Sequence, residues 1–207
     1  CLSKLLMALE DIQIIDNFLD QQYFDDLSFW CEVHQPWQIA TISGIGDPNM
    51  PQEEKDKAMK FWKKYPPHGN LQLVSRHYDV SPDFHISPDF GRFIPMLTSL
   101  KSRVPVRIKV NLITGKDSHI PSPYHYDENP PEAFGDNCKV AIIHLNTCNG
   151  WTNVQHPDLD NFEQKIDTVA NRAIIFSNKY PHRGTTCTDK PYRSVINVNY
   201  YGDKIET

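Results

Sequence analysis

From Val104 to Tyr201 the chain reads as a succession of short strands separated by turn residues, with no helical stretch between them. Val106, Ile108, Val110 and Leu112 alternate with Arg107, Lys109 and Asn111, the two-residue period of a strand with unlike faces. Further strands are expected at Lys139–Leu145, Gly150–Gln155, Phe162–Ile166, Asn171–Ser177 and Arg193–Tyr201. Regular short strands without helices between them point to an antiparallel sandwich or jelly roll. Sixteen prolines in 207 residues favour the same outcome, because they promote turns over long helices.

The first half reads differently. Ile12–Ile15 is a short β-type run, and Asp16-Asn17 offers a cap or turn before a helical pattern of Phe18, Leu19, Phe24, Leu27, Phe29 and Trp30. Trp37–Ser43 reads as a strand ending at Gly44-Ile45-Gly46, which is no phosphate loop because Asp47-Pro48 follows it. A charged helix is expected over Pro51–Tyr65, with Pro51 in its first turn and Pro66-Pro67 stopping it. Leu71–Tyr78 reads as a strand and Pro88–Arg103 as a second substantial helix. The expected class is α+β, mainly β: a jelly roll with N-terminal helices packed on its larger sheet. One domain is expected over 1–207, with 1–103 as helix-rich support and 104–207 as the jelly-roll core.

The last strand carries Ser194, Ile196, Val198 and Tyr200 on one face and Arg193, Val195, Asn197 and Asn199 on the other. The polar face either meets solvent or looks into a barrel holding a charged ligand, with Asn111 turned inward on the opening strand. Burial of Asn197 and Asn111 decides between the two.

A formal charge of −5 supplies no basic field for a nucleic-acid backbone, so nucleic acid is disfavoured as a partner. Lys101, Arg103, Arg107 and Lys109 form a local cluster that a solvated or structural face explains. Five cysteines without a C-x-x-C indicate neither a zinc knuckle nor a disulfide framework, and a reducing, cytoplasmic setting is expected. No apolar run approaches membrane-spanning length. Leu5–Leu9, closed by Glu10 and Asp11, is a poor signal-peptide core, although a start at Cys1 leaves a removed leader open.

His125-Tyr126-Asp127, then His182, then Arg193 is the constellation that carries chemistry. A histidine and a carboxylate two apart on an extended segment point to the same side, where a histidine from a distant strand can meet them. Two imidazoles and a carboxylate on one face of a metal leave the opposite face open, as ferrous oxygen chemistry requires. A second H-x-D, His156-Pro157-Asp158, competes with the first. In a jelly roll the strand bearing the last ligand returns beside the first after several others, which at roughly 5–6 residues per strand needs about forty residues. His182 lies 55 residues after Asp127 and 24 after Asp158, so the first pair fits. Pro157 makes the second a turn, and His156 is read as surface loop. His144, among apolar neighbours, is read as a satisfied core or barrel-wall histidine. His34, His68, His77, His85 and His119 lack ligand spacing. Arg193 is expected on the strand neighbouring His182, where it could grip a carboxylate; the competing reading is a surface salt bridge.

These residues give the chain a resemblance to the Fe(II)- and 2-oxoglutarate-dependent oxygenase superfamily, in particular to small members like prolyl 4-hydroxylase catalytic domains. Ile12-Gln13-Ile14-Ile15-Asp16-Asn17-Phe18-Leu19 resembles the strand-into-helix opening of that group, and His125-x-Asp127 through Arg193 resembles its catalytic core. Asn149-Gly150-Trp151 and Asn171-Arg172-Ala173-Ile174-Ile175-Phe176 also resemble its segments. The resemblance implies a double-stranded β-helix with iron on His125, Asp127 and His182, and 2-oxoglutarate held through Arg193. Asn111 is the nearest candidate for a further cosubstrate contact, with Tyr124 or Tyr126 as alternatives. It also implies hydroxylation of a C–H bond in a peptidyl proline, another side chain or a small metabolite, with O2 consumed, succinate and CO2 released, and ascorbate as reductant. Trp151, Tyr124 and Pro121–Pro131 are expected at the pocket rim. Two other readings are a non-catalytic cupin-like binding module, which usually uses H-x-H, and a nucleic-acid demethylase of the same superfamily.

Overall fold

A computed structural model describes residues 11–40, 52, 53, 56, 60, 72–80, 84–127, 137–157, 159 and 162–205. Its strands are β1 (Gln13–Ile15), β2 (Gln38–Ala40), β3 (Gln72–Asp79), β4 (His85–Ile86), β5 (Ser102–Thr114), β6 (Cys138–His144), β7 (Trp151–Gln155), β8 (Glu163–Asp167), β9 (Ala173–Ser177), β10 (His182–Gly184) and β11 (Tyr192–Gly202). Helix α1 spans Gln21–Val33, and α2 (Ile94–Ser99) continues a 3-10 turn at Phe90–Phe93.

The larger sheet runs β1-β9-β6-β11-β5-β3-β2, with β4 on β3; the smaller runs β10-β7-β8. Bridges Pro121–Thr185 and His125–His182 lay the 121–125 segment along the free side of β10. The smaller sheet therefore gains a fourth, proline-interrupted member. Every strand pair is antiparallel. The two layers form a jelly roll, and four strands (β6 to β9) intervene between the 121–125 segment and its neighbour β10.

Alternation assigns each face. Outside the larger sheet, Ile108, Val110, Ala141, Ile143, Ile196, Val198 and Tyr200 pack with Phe24, Leu27, Trp30 and Cys31 of α1 and with Phe93, Met96, Leu97 and Leu100. Phe24, Leu27 and Cys31 recur at the spacing of one helix face. Burying each such leucine or phenylalanine contributes about 1.5–3 kcal/mol. Between the sheets lies a second cluster, including Val140, Ile142, Val154, Ile166, Ile174, Phe176 and Val195. On β11 the inward face is polar but enclosed: Arg193, Asn197 and Asn199 are 3%, 5% and 0% exposed. Asn111 is half-buried, and its side-chain oxygen is enclosed without a partner among the described residues. The face is therefore turned inward and not solvated.

The helical support is smaller than expected. Pro88–Arg103 is not one helix: α2 ends at Ser99, Lys101 takes a positive φ of 49°, and β5 begins at Ser102. Pairing with β11 claims the end of the expected helix for the sheet, and Ile94, expected on its apolar side, is exposed. The N-cap of α1 is Asp20, whose carboxylate accepts from the Tyr23 N–H, while Asn17 at φ 51° makes the preceding turn. Gln52, Glu53, Asp56 and Lys60 are helical; the rest of Pro51–Tyr65, Thr41–Ser43 and the Gly44–Gly46 turn lie outside the described residues. Asn171, at φ 60°, ties the chain start to β9: its side chain accepts from Leu19 N and donates to Leu19 O. Among the described residues, no helix is long and apolar enough to cross a membrane.

Candidate metal centre and a buried arginine

The 121–125 segment and β10 place two imidazoles side by side. His125 and His182 exchange both backbone hydrogen bonds, at 3.1 and 3.0 Å, and their ring centroids stand 4.7 Å apart. Each Nδ1 lies near a backbone carbonyl, Pro123 O for His125 (3.2 Å) and Tyr180 O for His182 (3.3 Å). Protonation at Nδ1 satisfies those carbonyls and leaves each Nε2 lone pair free for a cation.

Asp127, two residues past His125, sends its carboxylate to the same point. The larger sheet holds it there. Asn197 Nδ2 donates to both of its oxygens at 3.2 and 3.1 Å, Asn199 Nδ2 to Oδ2 at 3.1 Å, and Arg107 Nη2 stands 3.0 Å from Oδ1. Arg107 Nη1 also donates to the Asp127 backbone oxygen at 2.9 Å. One ligand atom from each of His125, Asp127 and His182 lies within 4.8 Å of the others. Asp127 Oδ1 is 3.9 Å from His182 Nε2.

The electrostatics suit a cation. Burial alone would raise the Asp127 pKa, but Arg107 first, then His182, Lys109 and His125, hold the carboxyl well below the usual range. Loss of hydration lowers the His182 pKa. His125 is the member with an exposed surface, yet protein crowds it on most sides; lost hydration and then the His182 ring lower its pKa to about 4. Near neutral pH the set is therefore two neutral imidazoles and one carboxylate, the protonation state a divalent ion needs. The donor types fit ferrous iron, and the open side is that of His125.

Arg193 begins the inward face of β11. Its Nε donates to Thr168 Oγ1 and its Nη2 to Thr152 Oγ1, both at 2.7 Å, and Nη2 is 3.3 Å from His144 Nε2. Among the described residues no carboxylate pairs with it. Lost hydration brings its pKa down to about 10. A buried guanidinium without a counter-anion is costly unless a ligand supplies the anion. Glycines make its room: a Cβ on Gly184 would stand 3.0 Å from Arg193 Nη1, and one on Gly150 3.0 Å from its Cδ. Arg193 and His182 do not lie on neighbouring strands. They sit in opposite sheets and face one another across the interior, because β11 pairs with β5 and β6 while β10 pairs with β7.

The inward rows of the larger sheet order the remaining residues. Arg107 stands opposite Asn199, Lys109 opposite Asn197, Asn111 opposite Val195, and Ile113 opposite Arg193. Asn111 thus lines the wall between the carboxylate clamp and Arg193. His144, on the far side of Val195, reaches Arg193 as well. Since arginine always donates, His144 Nε2 accepts and its proton sits on Nδ1. Burial, then the charge of Arg193, keeps its pKa far below the ordinary value. His144, expected as a core or barrel-wall histidine, thus touches Arg193, and no motif marks Arg107, Asn197, Asn199, Thr152 or Thr168 as participants. Alternation gave the phase of Arg107 and the asparagines, but not what they meet.

Three expectations are corrected. Tyr124 is not a cosubstrate contact: alternation from His125 turns it to the outer face of the smaller sheet. There its hydroxyl donates to Glu163 and its ring lies 4.3 Å from the Arg183 guanidinium carbon. Trp151 is on that outer face too, its Nε1 donating to Asn153 and its ring met by Lys165 at 4.1 Å, so neither residue rims the interior. His156 is not free surface: it packs on Tyr180, ring centroids 4.9 Å apart, with Asp11 3.8 Å away. Asp158 and residues 128–131 of the proline-rich loop lie outside the described residues. Tyr126 is 39% exposed beside Asp127.

Neither a family model nor a curated protein sequence matches the chain. Among solved structures it is similar to an oxidoreductase of the 2OG-Fe(II) oxygenase family from Burkholderia pseudomallei: TM-score 0.60, 14% identity, covering 92% of this chain and 85% of that one. A prolyl-4-hydroxylase from Pseudomonas putida gives TM-score 0.52 and 11% identity, with 92% of each chain covered. The non-heme α-ketoglutarate-dependent epimerase SnoN from nogalamycin biosynthesis gives TM-score 0.57 and 10% identity, over 93% of this chain and 78% of that one. The chain shares the fold of these proteins.

Proposed function

We propose that this protein is an Fe(II)- and 2-oxoglutarate-dependent oxygenase that hydroxylates a C–H bond. The observation that carries the reading is the pairing, inside one jelly roll, of a His125–Asp127–His182 donor set with a buried arginine that meets no carboxylate among the described residues. His125, Asp127 and His182 would hold the iron. When bound, iron and 2-oxoglutarate supply the oxidant, with O2 consumed and succinate and CO2 released.

The chain's own part is geometric. Arg193, fixed by Thr168, Thr152 and His144, receives the distal carboxylate of the cosubstrate, and Asn111 lines the wall between the two anchors. Arg107, Asn197 and Asn199 keep the Asp127 carboxylate ionised and aimed, so that its orientation does not have to be found anew at each turnover. Hydrophobic residues between the sheets, among them Val195, Ile142 and Phe176, keep water from the interior. The substrate approaches from the His125 and Tyr126 side, where the centre meets solvent. An amino-acid side chain, peptidyl proline included, is the class the substrate panel tests first.

Iron- and ascorbate-dependent conversion of 2-oxoglutarate to succinate, lost in His182→Ala, tests the reading. Binding of both Fe(II) and 2-oxoglutarate without turnover across a peptide and amino-acid panel would instead indicate a binding module. Failure to bind either one would end the oxygenase reading.

A further inference from the structure

Outside this centre, a second set of donor atoms converges. Cys148 lies in the turn between β6 and β7; Cys187 and Asp189 lie in the turn between β10 and β11. Their sulfur and carboxylate ligand atoms all fall within 4.8 Å of one another. Both thiols are free and buried, while Asp189 is exposed and opens the cluster to solvent. No sequence motif announces the pair, because the cysteines are thirty-nine residues apart.

The cluster is prearranged. Asn149 N donates to Asp189 Oδ1 at 2.9 Å, Thr188 N to Asn149 Oδ1 at 2.8 Å, and Asn149 Nδ2 to Thr188 Oγ1 at 2.7 Å. Backbone bonds from Cys148 N to Thr168 O and from Lys116 N to Cys187 O fasten both turns to the body of the fold. The donors are thus held in place before any ligand arrives, which limits the ordering cost of binding.

We propose that Cys148, Cys187 and Asp189 form a second metal site, taking a thiophilic divalent cation such as Zn2+ and clipping the β6–β7 turn to the β10–β11 turn. Two sulfurs and one carboxylate suit zinc, with water from the Asp189 side completing a tetrahedron. Binding releases two thiol protons to solvent, one of them now donated by Cys187 Sγ to Lys190 O. Two thiolates and a carboxylate around a 2+ ion leave one negative charge. The exposed Asp189 side leaves that charge in contact with water.

A disulfide is the competing use of the same sulfurs. It would need an oxidant such as a peroxide, which metal binding does not. Coordination deprotonates a thiol directly and needs no redox partner. The inference does not depend on the oxygenase reading, since none of its donors belongs to the triad.

Anaerobic Co2+ titration of the reduced 207-residue chain tests it. The triad contains no sulfur, so a sulfur-to-cobalt charge-transfer band in the near ultraviolet reports cysteine coordination, and the serine variants assign it to this pair rather than to Cys1, Cys31 or Cys138. Wild type should show that band and two bound equivalents. His182→Ala should keep the band and lose one equivalent; Cys148→Ser and Cys187→Ser should lose the band and keep the other. Asp189→Asn, at an exposed position that leaves folding intact by circular dichroism, should weaken Zn2+ binding at the cysteine site by about tenfold or more. The proposal is overturned if reduced, folded wild type shows no band. It is also overturned if the band survives both serine variants, or if Asp189→Asn binds Zn2+ as tightly as wild type.

Discussion

Replacing Arg193 with methionine separates what the residue costs the fold from what it does for a ligand. The guanidinium is 3% exposed and its partners are two threonine hydroxyls and a neutral histidine, none of them charged. Arg193→Met removes a buried, uncompensated charge and keeps most of the volume. Replacing buried charges with apolar groups of similar shape is commonly neutral or stabilising by about 1–4 kcal/mol. The Thr152 and Thr168 hydroxyls lose a donor, at a cost of about 1 kcal/mol each. The metal-free variant should therefore unfold within about 2 kcal/mol of wild type, on either side. Ligand binding should respond oppositely. Two charge-assisted hydrogen bonds to a carboxylate, about 1.5–3 kcal/mol each, come to roughly a 10²- to 10⁴-fold rise in the Kd for 2-oxoglutarate. Urea unfolding without ligand and calorimetric titration with Mn2+ and 2-oxoglutarate measure the two effects. A variant that unfolds far more easily than wild type, or binds 2-oxoglutarate within threefold of it, refutes the argument that the arginine awaits an anion.

Asn199→Leu removes a fully buried donor to Asp127 Oδ2 and should weaken divalent-metal affinity at the triad by about 10- to 100-fold. Unchanged Mn2+ affinity in a folded variant would show that the clamp is incidental. Gly184→Ala brings a Cβ within 3.0 Å of Arg193 Nη1, so 2-oxoglutarate binding should suffer while metal binding alone does not; equal losses in both would contradict it. His77, His144 and His182 all have pKa values lowered by burial, His77 to about 4. Their folded forms refuse protons that the unfolded chain accepts below an ordinary histidine pKa of about 6.5. Their contribution is whole above that pH and is lost as pH falls towards 4, so the metal-free unfolding free energy should drop across this window. A flat profile from pH 6.5 to 4 would contradict the burial argument.

Strand phase was the most legible part of the sequence. Alternation on the segments that became β5 and β11 placed Arg107, Asn111, Arg193, Asn197 and Asn199 on common faces, and strand arithmetic favoured His125-x-Asp127 over His156-x-Asp158. What could not be read was pairing between distant strands. Only the β5–β11–β6 register brings Arg107 and Asn199 onto Asp127, or His144 onto Arg193. Tyr124 was misplaced because its segment pairs with β10 through two isolated bridges that its proline-rich sequence does not advertise. The Pro88–Arg103 helix failed for a related reason: apolar spacing there suits a helix, but the end of the segment pairs with β11 instead of making a further helical turn.

The two imidazoles and the carboxylate are secured by different halves of the sandwich. His125 and His182 are tied to each other at the margin of the smaller sheet, whereas Asp127 is held by β5 and β11 of the larger. A cation on all three works as a rivet through both layers. Its free concentration then sets how often the layers part at that end, by ordinary mass action. Amides of the 121–125 margin should exchange with solvent quickly in a chelated sample and slowly in a metal-loaded one, while those of β6 and β9, deep in the larger sheet, keep one rate in both.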